Sequence, residues 1–196
     1  MKKAEVKKIV SDYLIKMMGD WFPDKPLVKA LGITAIQANT NKFDGVIDMI
    51  SNEWMLITAG NEKGYNMMTA SWGGMGEMWG KDVAVTVIRP QRYTYEFIEK
   101  NDLFTLSFYG DKKDIHAVCG KKSGRDIDKA KEAGLTPVFD NGTVYFDEAR
   151  LVVVCKKLYA SDMKEDSFID KDCLKWYNGD FHRMYVGEIV KVLVKE

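Results

Sequence analysis

The chain of 196 residues is poor in the side chains that build metal centres and disulfide frameworks, with three cysteines and two histidines. Cys119, Cys155 and Cys173 are far apart and odd in number, so they make neither a disulfide framework nor a CxxC redox or zinc pair. His116 and His182 are too few for a three-histidine metal site, and each reads as a surface or hydrogen-bonding residue. An excess of one charge is lacking too. Lys plus Arg number 29 and Asp plus Glu 29, and without a basic stripe no electrostatic hold on nucleic acid is expected. No apolar run approaches the roughly 18 residues of a membrane span. The opening MKKAEVKKIVSDYLIKMM intersperses charge among its apolar positions, unlike a signal peptide. The expected setting is a reducing cytoplasm. The enzyme signatures GxGxxG after a strand, GxxxxGK[ST], HExxH and GxSxG are absent as well.

What remains is an ordinary globular composition, 46% hydrophobic and 30% charged. At about 150 residues per domain, the length suits one good-sized domain with an extra arm. Apolar residues at Val6, Ile9, Val10, Tyr13, Leu14, Met17 and Met18 alternate steps of three and four and predict an amphipathic helix within 2–18. That helix and the extended stretch to Asp44 form the arm, residues 1–44, and the body is 45–196. Strand signals then dominate. Residues 54–58 and 65–71 flank the turn Asn61-Glu62-Lys63-Gly64 as a hairpin. Further strands are expected at 83–88 and 103–109, at 144–146 paired with 151–158, and at 185–194. Short helices are expected at 93–99, after Pro90, and at 126–133. Strands outnumber helices and do not alternate with them, which favours an antiparallel, mainly β barrel over a parallel doubly wound sheet. The 11 methionines read as flexible core filling.

Three segments carry chemistry. Asn66-Met67-Met68-Thr69-Ala70-Ser71-Trp72-Gly73-Gly74 gathers hydroxyls and exposed N–H groups at a strand end, donors that suit a phosphate, beside an indole face that suits a ring. Taken alone it reads equally as a strand end and polar turn with Trp72 in the core. In Arg89-Pro90-Gln91-Arg92-Tyr93-Thr94, an arginine and a helix start can converge on one anion; alternatively Arg89 makes an ion pair and Thr94 is a surface residue. The run from Cys119 to Lys129 reads as a glycine-punctuated loop entering a short helix. Its cations either hold the polar edge of a flat heterocycle or are simply solvated.

In their order and spacing these segments resemble the flavin reductase-like family of FMN-binding split barrels, its flavoredoxin-type branch above all. The resemblance is carried by Trp54-Met55-Leu56-Ile57-Thr58-Ala59-Gly60, by 65–74, 87–94 and 123–129, and by Gly179-Asp180-Phe181-His182 with Tyr185-Val186-Gly187-Glu188-Ile189. It implies a six-stranded Greek-key split barrel, a homodimer, and one FMN per subunit near the interface. It places Asn66, Thr69, Ala70, Ser71 and Trp72 along the flavin, Arg89, Gln91 and Thr94 on the phosphate and ribityl chain, and Ser123 and Lys129 at the ring's polar edge. His182 becomes a neighbour of nicotinamide or flavin. No catalytic acid or nucleophile is expected, because hydride and electron chemistry belong to the cofactor. The implied activity moves electrons from NADH or NADPH through FMN to flavin, iron or a small redox protein. The alternatives are an FMN-binding electron carrier without NAD(P)H activity, and a barrel that binds no flavin.

Overall fold

A computed structural model describes residues 45–195. The expected helix within 2–18 and the rest of the arm to Asp44 lie outside them. The body opens with α1 (Val46–Asp48), running into a π-helical turn over Met49–Glu53. Nine strands follow: β1 (Met55–Asn61), β2 (Gly64–Ala70), β3 (Gly73–Met78), β4 (Lys81–Ile88), β5 (Leu103–Phe108), β6 (Pro137–Asp140), β7 (Thr143–Phe146), β8 (Leu151–Asp162) and β9 (Arg183–Val194). Between them lie helices α2 (Tyr93–Lys100), α3 (Lys113–Lys121) and α4 (Lys129–Glu132), and two 3-10 turns, Glu165–Ser167 and Lys171–Trp176.

Seven strands form one sheet in the order β2-β1-β5-β8-β9-β4-β3, every neighbouring pair antiparallel. Its two edges, β2 and β3, are consecutive in the chain and joined only by Ser71 and Trp72. A link of that length spans at most about 10 Å, so the sheet must curl until its edges meet at that corner. The result is a split barrel, with seven sheet strands where the resemblance implied six.

Alternation along the strands divides the apolar residues between two cores. Met55, Ile57 and Ala59 of β1 and Leu151, Val153 and Cys155 of β8 enter the barrel interior with Phe104, Leu106 and Phe108 of β5. Leu56, Val152 and Val154 face the other way, under α3, α4 and the β6–β7 hairpin, together with Met67, Cys119 and Phe146. Met49, Met55, Met67 and Met68 are buried as core filling, whereas Met78 is exposed.

The first hairpin forms as expected, with Asn61 paired to Gly64. Four expectations need correction. The strand at 144–146 pairs with β6, not with 151–158, because Asn141 and Gly142 take φ of 48° and 81° and close a two-residue turn. The helix at 126–133 shrinks to α4, whose start Asp128 caps through the Lys131 N–H. The loop beginning at Cys119 begins instead inside α3, an unforeseen helix that buries Ile115, His116 and Cys119. Gly73 and Gly74, read as a turn, open β3. No helix among the described residues is long and apolar enough to cross a membrane.

Candidate flavin site

β2 runs along the floor of a trough. One part of it is a pocket of about 490 Å³, floored by Met68 and Thr69 and walled by Trp54, Arg92, His116 and His182. It shares Met68, Arg92 and Lys121 with a second space of about 250 Å³ that reaches Gln91, Thr94 and Ser123. A third hollow of about 280 Å³ lies on the far side of Asn66 and Gly124.

The charge along the first two spaces is of one sign. Among the described residues, Arg89, Arg92, Lys113, Lys121, Lys122 and Lys129 line them, and no carboxylate does. Arg89 is paired with Asp180 and Lys122 with Glu132. Arg92 donates to the Gly120 carbonyl at 2.8 Å and Lys129 to the Cys119 carbonyl at 3.0 Å, so neither of these bonds brings a counter-charge. Burial, with Arg92 adding to it, lowers the Lys129 ammonium to about 8. Lys113 donates to the Glu53 carbonyl at 3.0 Å and stands 4.4 Å from the centre of the Trp54 ring. Trp54 holds φ 70° and ψ 171°, a conformation that costs a non-glycine residue about 1–3 kcal/mol. Such strain persists where the surroundings fix a side chain in place. Here they are Lys113 above the ring and His116 edge-on at 5.9 Å.

Both histidines are buried, hydrogen-bonded and part of the pocket wall, where the sequence reading allowed a surface position. Burial lowers each to about 4, helped by Lys113 at His116 and by Arg89 at His182. Neutral rings therefore face the pocket at pH 7. His182 Nδ1 lies 2.9 Å from the Tyr177 hydroxyl, within an aromatic cluster of Trp72, Trp176, Tyr177 and Phe181. His116 Nδ1 lies 3.3 Å from Thr69 Oγ1.

A family model described as flavin reductase like domain matches residues 48–196. The chain belongs to the flavin reductase-like family. Its membership carries a flavin-related redox role. Among solved structures it resembles flavoredoxin from Methanosarcina acetivorans (18% identity, 74% of this chain and 69% of that one, TM-score 0.58). It also resembles the Thermus thermophilus FMN-binding protein crystallised with p-hydroxybenzaldehyde (21%, 80% and 79%, 0.59) and flavoredoxin of Desulfovibrio vulgaris (22%, 73% and 69%, 0.58). At these identities the likeness is one of fold. No curated protein sequence matches the chain.

Against this flavin reductase-like frame, the predicted residues fall into three groups. Asn66, Gln91, Thr94, Ser123 and Lys129 line the second space together, with Asn66 Nδ2 donating to Thr94 Oγ1 at 2.8 Å. Thr69, Arg89 and His182 line the main pocket. Ala70 packs on the barrel core, and neither Ser71 nor Trp72 lines any of the three hollows. The Trp72 ring turns to the tail, 5.2 Å from His182 and 5.7 Å from Trp176. Arg89 also reaches the tail, donating to the Trp176 carbonyl at 2.8 Å, and Gln91 joins it on Asp180 at 3.1 Å. Sequence reasoning missed Trp54, Arg92, Lys113 and His116 as wall residues. Trp54 opens one of the segments that carry the resemblance, Arg92 lies inside another, and Lys113 and His116 stand just before the run that begins at Cys119.

FMN is a flat ring system joined through a polyhydroxyl chain to a phosphate dianion. The trough offers Met68 on its floor, the Trp54 ring and neutral imidazoles in its wall, and a run of cations, with Asn, Gln, Thr and Ser donors between them. The residues fit the group.

Proposed function

We propose that this protein binds FMN in the trough along β2 and moves electrons from NADH or NADPH to flavin, iron or a small redox protein, as a cytoplasmic homodimer. One observation carries the reading: among the described residues, six cations and no carboxylate line the two connected spaces, in a chain of zero net charge. That is a site built for an anion.

Bound FMN supplies the hydride and electron chemistry. The protein's part is to bind and orient. Arg92, Lys121, Lys122 and Arg89 supply the positive wall for the phosphate, Asn66, Gln91, Thr94 and Ser123 the donors and acceptors for the ribityl chain. Lys129, buried and cationic at pH 7, favours electron uptake by placing positive charge beside the ring. Arg125 clamps the loop that carries Ser123 by pairing with Glu96 and stacking 4.5 Å over Tyr93. Neutral His116 and His182 add no competing charge.

The test begins with the visible spectrum of protein purified without added cofactor, and with chromatography of whatever heat releases. FMN in the supernatant supports the reading. Anaerobic rapid mixing with NADH and with NADPH then follows flavin bleaching. Bound FMN that neither bleaches, alongside fast reduction by a ferredoxin-like donor, would replace the reductase with an electron carrier. Protein that also ignores added FMN would refute the flavin role.

A further inference from the structure

The hydrogen-bond accounting at Thr69 fixes the state of a second residue. The Thr69 hydroxyl has one proton, and its Oγ1 donates it to the His116 carbonyl at 3.0 Å. The same oxygen lies 3.3 Å from His116 Nδ1. With its proton already engaged, Thr69 can only accept there, so Nδ1 carries the imidazole hydrogen. Nε2 is then a bare lone pair. It is buried and has no partner among the described residues, while His116, 2% exposed, is among the residues that line the main pocket. Trp54 and Tyr109 hold that ring edge-on at 5.9 and 6.0 Å, so it has little freedom to turn elsewhere.

A buried acceptor without a donor loses its hydration and gains nothing in return. Ligand sites are where such groups persist, because the ligand completes them. We infer that His116 Nε2 is the acceptor for a hydrogen-bond donor of the bound cofactor, the ring imide N–H or a ribityl hydroxyl, with Thr69 holding the imidazole in the tautomer that leaves Nε2 bare. The inference rests on the flavin reading above. It adds His116 as a binding residue and gives Thr69 a positioning role that acts through it. Lowered basicity of the ring, from burial and from Lys113, keeps Nε2 unprotonated at neutral pH.

The chain has two histidines, so nitrogen NMR of the full-length protein resolves both rings, and His182→Asn assigns them. The expected spectrum without FMN shows His116 protonated at Nδ1 with a pyridine-type Nε2. FMN should then shift Nε2 toward a hydrogen-bonded value and leave Nδ1 in place. Thr69→Val should mix the tautomers, and His116→Phe should weaken FMN binding by roughly threefold to tenfold. An Nε2–H tautomer in the wild-type protein overturns the inference. So does an Nε2 signal unmoved by FMN that demonstrably binds, which leaves the flavin reading intact. Tyr109, whose buried ring stands 6.0 Å from that of His116, supplies a third arm: if Tyr109→Phe shifts Nε2 before FMN is added, the donor is internal and the inference fails. Absence of FMN binding overturns the flavin reading and this inference with it.

Discussion

Gly124 lies against the side chain of Asn66 with no room for a Cβ, which would collide with the amide oxygen and stand 3.2 Å from Tyr93 Cδ1. This contact is where the loop after α3 closes on β2, and it separates the second and third hollows of the trough. Gly124→Ala must displace either the loop or Asn66, and with Asn66 its bond to Thr94. We expect a loss of about 1–3 kcal/mol in stability, the range for overpacking, together with weaker FMN binding. Urea unfolding and FMN titration of the variant measure both. Unchanged FMN affinity would detach this contact from the site.

Arg89 faces two roles, as anchor for Asp180 and the tail and as wall of the main pocket. Arg89→Ala should reduce FMN affinity about tenfold to a hundredfold, the worth of a charge-assisted contact. Asp180→Asn removes the counter-charge while keeping a side chain of the same shape. If Arg89 serves the phosphate, this variant should bind FMN severalfold more tightly. Weaker binding in both variants would make Arg89 a support of the tail alone, and isothermal titration separates the cases.

His116 and His182, held near 4 in the folded protein against an ordinary value near 6.5, tie stability to pH. Between those values the unfolded chain binds more protons, so stability is complete above 6.5 and falls as pH drops toward 4. Each ring contributes a slope of up to about 1.4 kcal/mol per pH unit. Denaturant midpoints measured from pH 7 to 4 should show the fall. His182→Asn should remove about half of its slope; a slope that survives in full would place the titration elsewhere.

Lys129 behaves in the same sense at the other end of the scale. Its buried ammonium, lowered to about 8, is a burden while charged, so stability should rise as pH goes from 8 to its ordinary 10.5. Lys129→Met should be more stable than the wild type below pH 8 and should lack that rise. A flat wild-type profile above pH 8 would contradict the burial of the charge.

Much of the barrel was legible because its signals are local. The β1–β2 hairpin follows from alternation around a polar turn, and β4, β5, β8 and β9 from β-branched and aromatic runs. The β6–β7 pairing was misread although Asn141-Gly142 is a strong short-range hairpin signal, since the longer run of β8 drew the partner assignment to itself. α3 escaped because two of its first eight residues, His116 and Gly120, look wrong for a buried helix face, yet His116 is buried there. The site was legible as segments and not as a surface. Nothing local says that Trp72 turns toward Trp176 and His182, about a hundred residues further on, or that the carbonyls of α3 receive Arg92 and Lys129.

The strand order has a consequence for the life of the nascent chain. β4 pairs with β3 on one side and β9 on the other, so β9 alone joins that early hairpin to the remainder of the sheet, with Val83 opposite Glu188. During synthesis the β3–β4 hairpin must therefore stand undocked while about a hundred further residues leave the ribosome. Arg89, at its end, likewise meets Asp180 only then. The β4–β9 seam is therefore the last of the sheet to close.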